Sequence, residues 1–211
     1  DGSLPGIIPT AGWGYHWGNG PAWDCVLTYL PYYTYIYTGD REILSENAPS
    51  ILRYLDYISS RRDEDGLIAI GLGDWLQPER DSGDPTCPLI VTDSIVCLSV
   101  CQKAAFIFKT LGMKAQYIFA DTLYNEFREA IRTHLVDFNK MSILSDSQTG
   151  IAMAVYYGVF DAAEVPFAVK RLVELVHEAD DKLDTGCLGA RCIFHVLSDN
   201  GYGDLAFKMI N

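Results

Sequence analysis

Two tryptophan–aspartate neighbours carry the most chemistry in this chain: Trp23–Asp24 in GNGPAWDC and Asp74–Trp75 in GLGDWLQP. Indole faces stack on the C–H faces of sugar rings, and carboxylates accept charge-assisted hydrogen bonds from sugar hydroxyls, so the combination suits a carbohydrate. Trp13 and Trp17 share a stretch with Trp23, AGWGYHWGNGPAWDC, which places three tryptophans, a tyrosine and a histidine on backbone rich in glycine. Rings carried on the loops of a rigid scaffold tend to line clefts. The plainer alternative for each tryptophan is loop packing, and for Asp24 and Asp74 it is helix capping or loop bracing. His16 sits among the aromatics, placed either to bond a sugar hydroxyl or to brace the loop. Glu79, Asp81 and Asp84, in QPERDSGDP, are candidates for acid–base work and read equally as solvated loop charges. His134, His177 and His195 fall in helical segments, and their spacing gives no metal set, so neither a metal nor another cofactor is expected. The chain holds no P-loop, no dinucleotide fingerprint after a strand and no GxSxG elbow.

The bulk properties narrow the partners. With 211 residues, 49% of them hydrophobic, the chain has material for one sizeable core. Its net charge of −12, without a basic stripe, makes nucleic acid a poor partner. No run of eighteen apolar residues occurs, so no membrane span is expected. The chain starts at Asp1 and stops on FKMIN, and it reads as a piece of a longer protein. The six cysteines at 25, 87, 97, 101, 187 and 192 read as free core thiols, which favours a reducing compartment such as the cytoplasm.

These candidates need a scaffold, and the patterning supplies helices. A helix is expected over 24–37, capped by Gly39 and containing Pro31; Asp40 then caps a second, in which Pro49 marks a fresh first turn. Further helices are expected over 90–111, 114–138, 147–158, 163–179, 188–198 and 203–210, with no convincing strand. Residues 63–87 form a long irregular connection. The apolar helices 24–37, 90–111, 147–158 and 188–198 alternate with charged, amphipathic ones. A helix apolar all round must be buried all round, and an amphipathic partner shields it. The expected fold is therefore all-α, an (α/α) toroid of stacked hairpins. The loops entering its inner helices then share one rim, and they are the loops that hold all four tryptophans.

In order along the chain, DGSLPGIIP, PAWDC, TGDREIL, DGLIAIGLGDWL, LGMKAQYIFADTLYNEFREAI, SQTGIAMAVYYGVF and LDTGCLGARCIFHVLSDNGYGDLAFKMI resemble the catalytic domain of bacterial α-L-rhamnosidases, glycoside hydrolase family 78. The resemblance implies a six-hairpin barrel of which residues 1–211 supply about four hairpins. It implies an inverting reaction, with one glutamic acid protonating the leaving oxygen and a second glutamate activating water. The family motifs for both lie outside residues 1–211, so the resemblance implies a chain that lacks the general acid and base and is nearly inactive alone. Trp23 and Trp75 match family tryptophans that pack on the rhamnose ring and its methyl group, while Asp24 and Asp74 carry over only as their neighbours. The substrate-binding set expected from all of this is Trp23, Trp75, Asp24, Asp74, His16 and Trp17. Four hairpins cannot close a six-hairpin ring, so apolar faces at the two ends are expected to drive homodimerisation. Two other functions stay open: another (α/α) barrel glycosidase acting on a glucoside or an unsaturated uronide, for which Arg80 and Arg191 are the rim cations, and a non-catalytic helical-repeat binding module.

Overall fold

In the computed structural model, which describes residues 2–78 and 85–210, four helical hairpins follow one another along the chain. A single-turn helix α1, Pro21–Asp24, leads into α2, Val26–Thr38, which pairs with α3, Glu42–Ser60. The second hairpin is α4, Leu89–Leu111, with α5, Lys114–His134; the third is α6, Gln148–Tyr156, with α7, Val165–Glu178; the fourth is α8, Cys187–Asp199, with α9, Gly203–Lys208. The even-numbered helices pack on one another as an inner layer, α2 on α4, α4 on α6 and α6 on α8, and each packs on the outer helix that follows it. This is the toroid arrangement, with four of six hairpins present.

The termini of the helices follow from local chemistry. Gly39 and Gly112 take left-handed conformations at the ends of α2 and α4, where a side chain would be strained. The Asp40 carboxylate accepts the amides of Glu42 and Ile43 and so caps α3. Ser147 caps α6 through the amide of Gly150.

Four details depart from the sequence expectation. Asp24 ends the short helix α1, and the main inner helix begins only at Val26, because Cys25 offsets the two segments. Pro49 lies inside the unbroken helix α3. Leu44, Ala48, Ile51, Leu55 and Ile58 form one buried stripe in helical register, and that packing outweighs the hydrogen bond proline withholds. Helix α5 stops at His134, and a two-residue antiparallel hairpin follows, β1 (Val136–Asp137) with β2 (Ser142–Ile143). The Asp137 carboxylate accepts the amides of Asn139 and Lys140 and closes that turn. A ladder this short leaves no period-2 pattern to read.

Helix α4 is the centre of the inner layer. By length and composition it could cross a bilayer, yet 78% of its most apolar window is buried inside the protein. Cys97 and Cys101 share its buried face, and all six cysteines are free thiols. Helix α2, at one end of the array, differs. Its Val26, Leu30, Ile36 and Tyr37 are exposed, as are Phe207 and Ile210 at the other end.

These uncovered end faces generate a test. The isolated 211-residue chain is expected to self-associate as its concentration rises. Replacing Leu30 and Tyr37 together by Asp should shift sedimentation towards the monomer without loss of helical content.

Candidate functional site

The rim of the hairpin array is organised by one carboxylate. Asp74 lies in the irregular segment between α3 and α4 and is buried, at 2% exposure. One oxygen accepts the Thr149 hydroxyl at 2.5 Å and the Gly186 amide at 2.8 Å; the other accepts the amides of Leu188 at 2.8 Å and Gly189 at 3.3 Å. Helix α8 has Gly186 as its first flanking residue and so no capping side chain of its own. Asp74 supplies that cap from more than a hundred residues away and places negative charge at the positive end of the helix. The next residue completes the seam: the carbonyl of Trp75 accepts the Cys187 amide at 2.8 Å. A Cβ on Gly186 would stand 2.3 Å from the Trp75 carbonyl oxygen, so only glycine permits this approach. These contacts make Asp74 a brace between its loop and the start of α8.

A second glycine seam brings the other rim loop in. The backbone at Gly20 crosses that at Gly71 so closely that a Cβ on Gly20 would lie 2.3 Å from the Ile70 carbonyl oxygen, and both glycines have positive φ. The crossing brings Trp23 against Trp75, with ring centroids 6.5 Å apart and planes at 82°. Both indoles are half-buried. The Trp23 Nε1 is enclosed and finds no partner among the described residues. Beside Trp23 opens an apolar groove of 360 Å³, walled by Leu4, Ile8, Leu27, Leu30 and Ile43. Trp13 and Trp17 form a separate pair, 4.5 Å apart at their centroids and both exposed. His16 packs edge-on against Tyr15, whose hydroxyl donates to the Ser3 carbonyl. Glu79, Asp81 and Asp84 lie outside the described residues.

Beneath Trp23 is an acidic pair that only half emerged from the sequence. Asp24 and Asp93, the latter on α4, are both buried. Asp93 accepts the Ile70 amide at 2.7 Å and so ties the loop to α4. Burial raises the Asp24 carboxyl to about 7, and burial together with the charge of Asp24 raises Asp93 to about 8. One oxygen of each and the Thr28 hydroxyl have no partner among the described residues, while the Tyr54 hydroxyl lies close enough to Asp24 to offset part of the rise. Asp93 and Thr149 were not anticipated as part of the rim. Both sit inside apolar helices, and their partners are 23 and 75 residues away, so nothing local marks them. No group of three or more potential metal ligands occurs among the described residues.

Paired helices in two layers, with aromatic rings gathered on the loops at one rim, define an (α/α) hairpin domain of the glycosidase type. The model of the bacterial α-L-rhamnosidase six-hairpin glycosidase domain matches residues 1–211, and the chain belongs to that family. An α-L-rhamnosidase of Streptomyces avermitilis is 29% identical over 214 residues, covering 100% of this chain and 20% of the relative. One of Alteromonas sp. (strain LOR) is 27% identical over 219 residues, covering 100% and 23%. Among solved structures, the S. avermitilis α-L-rhamnosidase complexed with L-rhamnose aligns with TM-score 0.85 at 27% identity over 99% of this chain and 19% of its own. The α-L-rhamnosidase from Dictyoglumus thermophilum aligns at 0.89 and 25% identity over 100% and 24%. The chain thus spans about a fifth to a quarter of the length of the relatives it matches.

Two outcomes follow from the buried carboxylates. Asp74→Ala leaves a hydroxyl and three amides unpaired in the interior and should cost about 3 kcal/mol or more of stability, read by urea unfolding. Asp24 and Asp93 behave oppositely to surface acids. Their folded-state values are raised, so the folded state holds protons that the unfolded chain releases near pH 4. The stability they contribute is full below that point and is lost as pH climbs through about 7 to 8. Asp24→Asn should therefore gain in melting temperature relative to the unsubstituted chain between pH 5 and pH 8. A constant difference across that range would contradict the assignment.

Proposed function

We propose that this chain forms the sugar-facing middle of a glycoside hydrolase domain that cleaves terminal α-L-rhamnosides. The observation that carries the reading is the meeting of Trp23 and Trp75, 6.5 Å apart edge-to-face and half-open to solvent, in a chain of the rhamnosidase hairpin family. Two indoles at right angles make a corner. One face takes the flat C–H side of a hexose, and the other meets the apolar C6 methyl that distinguishes a 6-deoxy sugar from glucose. The complex of the S. avermitilis relative with L-rhamnose supports this substrate class.

Each of the remaining expected residues has a role in the reading. Asp74 acts through position, because its oxygens are taken up by Thr149 and the start of α8 while the carbonyl of Trp75 is tied to the same helix. Asp24 follows Trp23 in α1 and borders the same groove, with its carboxyl raised by burial to about 7. Trp17 and His16 stand in the exposed arm of the first rim loop, placed for the part of the substrate beyond the terminal sugar.

Hydrolysis with inversion requires an acid and a base roughly 6.5–9.5 Å apart, with room for a water between base and sugar. We assign both to segments outside residues 1–211. The described rim offers only Asp24, Asp74 and Asp93 as buried carboxylates; Asp74 is taken up by hydrogen bonds and Asp93 accepts the Ile70 amide, while Asp24 alone borders the groove beside Trp23.

In the intact protein, Trp23→Ala and Trp75→Ala should each lower kcat/KM for an aryl α-L-rhamnoside roughly tenfold to a hundredfold, the loss of about 1.5–3 kcal/mol of ring contact. Phe at either position should restore part of it. The isolated chain should show no turnover above background while keeping a rhamnose-dependent change in tryptophan fluorescence. Turnover by the isolated chain, or full activity of the doubly substituted intact protein, would overturn the reading.

A further inference from the structure

Helix α4 laces the irregular segment that leads to Trp75. Asp93 and Ser94, adjacent in the helix, are both buried. Asp93 accepts the Ile70 amide at 2.7 Å. The Ser94 hydroxyl serves Ile68 twice, accepting its amide at 3.1 Å and donating to its carbonyl at 3.3 Å. Residues 67–70 belong to no helix or strand, so these two side chains supply hydrogen bonds that regular structure would otherwise give an enclosed backbone.

From Ile70 the tie reaches Trp23 in two short steps. The Ile70 carbonyl lies against Gly20, and Gly71 lies against Asn19, where a Cβ on Gly71 would overlap the Asn19 carbonyl. Backbones packed this closely transmit displacement, so a shift of Ile70 is felt at Gly20. The Gly20 carbonyl in turn accepts the amides of Trp23 at 2.9 Å and Asp24 at 2.8 Å, which is the turn that starts α1. Trp75 has an anchor of its own: its carbonyl accepts the Cys187 amide, and the neighbouring Asp74 carboxylate accepts the amides of Gly186 and Leu188.

We propose that Asp93, with Ser94 beside it, is a positioning residue for Trp23 and thereby for the sugar-binding corner. It acts through Ile70 and Gly20 and touches no ligand itself. The two indoles then answer to different acids, Trp75 to Asp74 at the start of α8 and Trp23 to Asp93 on α4. The effect on substrate rests on the rhamnoside reading; the effect on Trp23 rests on the hydrogen bonds and backbone contacts alone. Burial raises the Asp93 carboxyl to about 8. Asparagine, neutral and nearly isosteric, is therefore the conservative replacement, and it keeps an acceptor for the Ile70 amide.

The test is made in the intact protein. Asp93→Ala should raise KM for an aryl α-L-rhamnoside about tenfold and change kcat less than about threefold, because Trp23 meets the sugar while the reacting groups are assigned elsewhere. Asp93→Asn should bring KM back to within about threefold. In the Trp23→Ala protein, Asp93→Ala should cost less than about twofold more, because the contact it supports is already gone. Hydrogen exchange gives a readout free of substrate. Asp93→Ala should speed exchange about tenfold or more in the peptide spanning residues 20–25 and leave the peptide spanning 186–189 unchanged. Should Asp93→Ala fail to fold, Ser94→Ala should show the same pattern with KM raised about threefold. A fall in kcat at constant KM, full additivity with Trp23→Ala, or unchanged exchange over residues 20–25 overturns the proposal. If Trp23→Ala itself leaves KM unmoved, the rhamnoside reading fails, and the exchange result alone decides whether Asp93 positions Trp23.

Discussion

Everything at the rim depends on the burial of one carboxylate. Asp74 gathers a hydroxyl from α6 and three amides from the start of α8 onto a loop that otherwise has no regular structure. A charge so deeply enclosed is tolerable only when its acceptor sites are filled, and filling them fixes three hairpins relative to one another. The position of Trp75 follows, because its own carbonyl is hydrogen-bonded to α8. The position of Trp23 follows in turn, through the backbone crossing of Gly20 and Gly71. The aromatic corner is thus a product of polar bracing and glycine contact, with hydrophobic packing secondary.

The scaffold was legible where its signals are local. Gly39 and Gly112 mark helix ends, Asp40 marks a start, and the alternation of apolar and amphipathic helices carries the two-layer arrangement. Pro49 departs from the expectation because the stripe of buried residues running through it outweighs local propensity. The strand pair at Val136 and Ile143 is too short for periodicity to register. For the site, Trp23 and Trp75 stood out as large rings on glycine-rich backbone. The work of Asp74 did not, since a carboxylate beside a tryptophan looks the same in sequence whether it faces a ligand or a helix terminus. Asp93 and Thr149 were hidden for a related reason: each lies in a helix whose apolar neighbours dominate the pattern, and the partners that give it meaning arrive only with the tertiary fold.

The polar groups of the inner layer divide into two populations. Near Trp23, the acids Asp24 and Asp93 are buried, which raises their carboxyls to about 7 and about 8. On the side facing Tyr29 stand two cations, the half-buried Lys103 and the exposed Arg191. The Tyr29 ring lies against both cations.

Five of the six thiols are sealed within the protein, while Cys187 alone is open to solvent, at the residue whose amide binds the carbonyl of Trp75. The chain therefore carries a natural attachment point for a maleimide dye or spin label at the margin of the aromatic corner. Because indoles quench many fluorophores on contact, a probe there would report arrivals and departures at the rim in real time, with no cysteine engineered in or out.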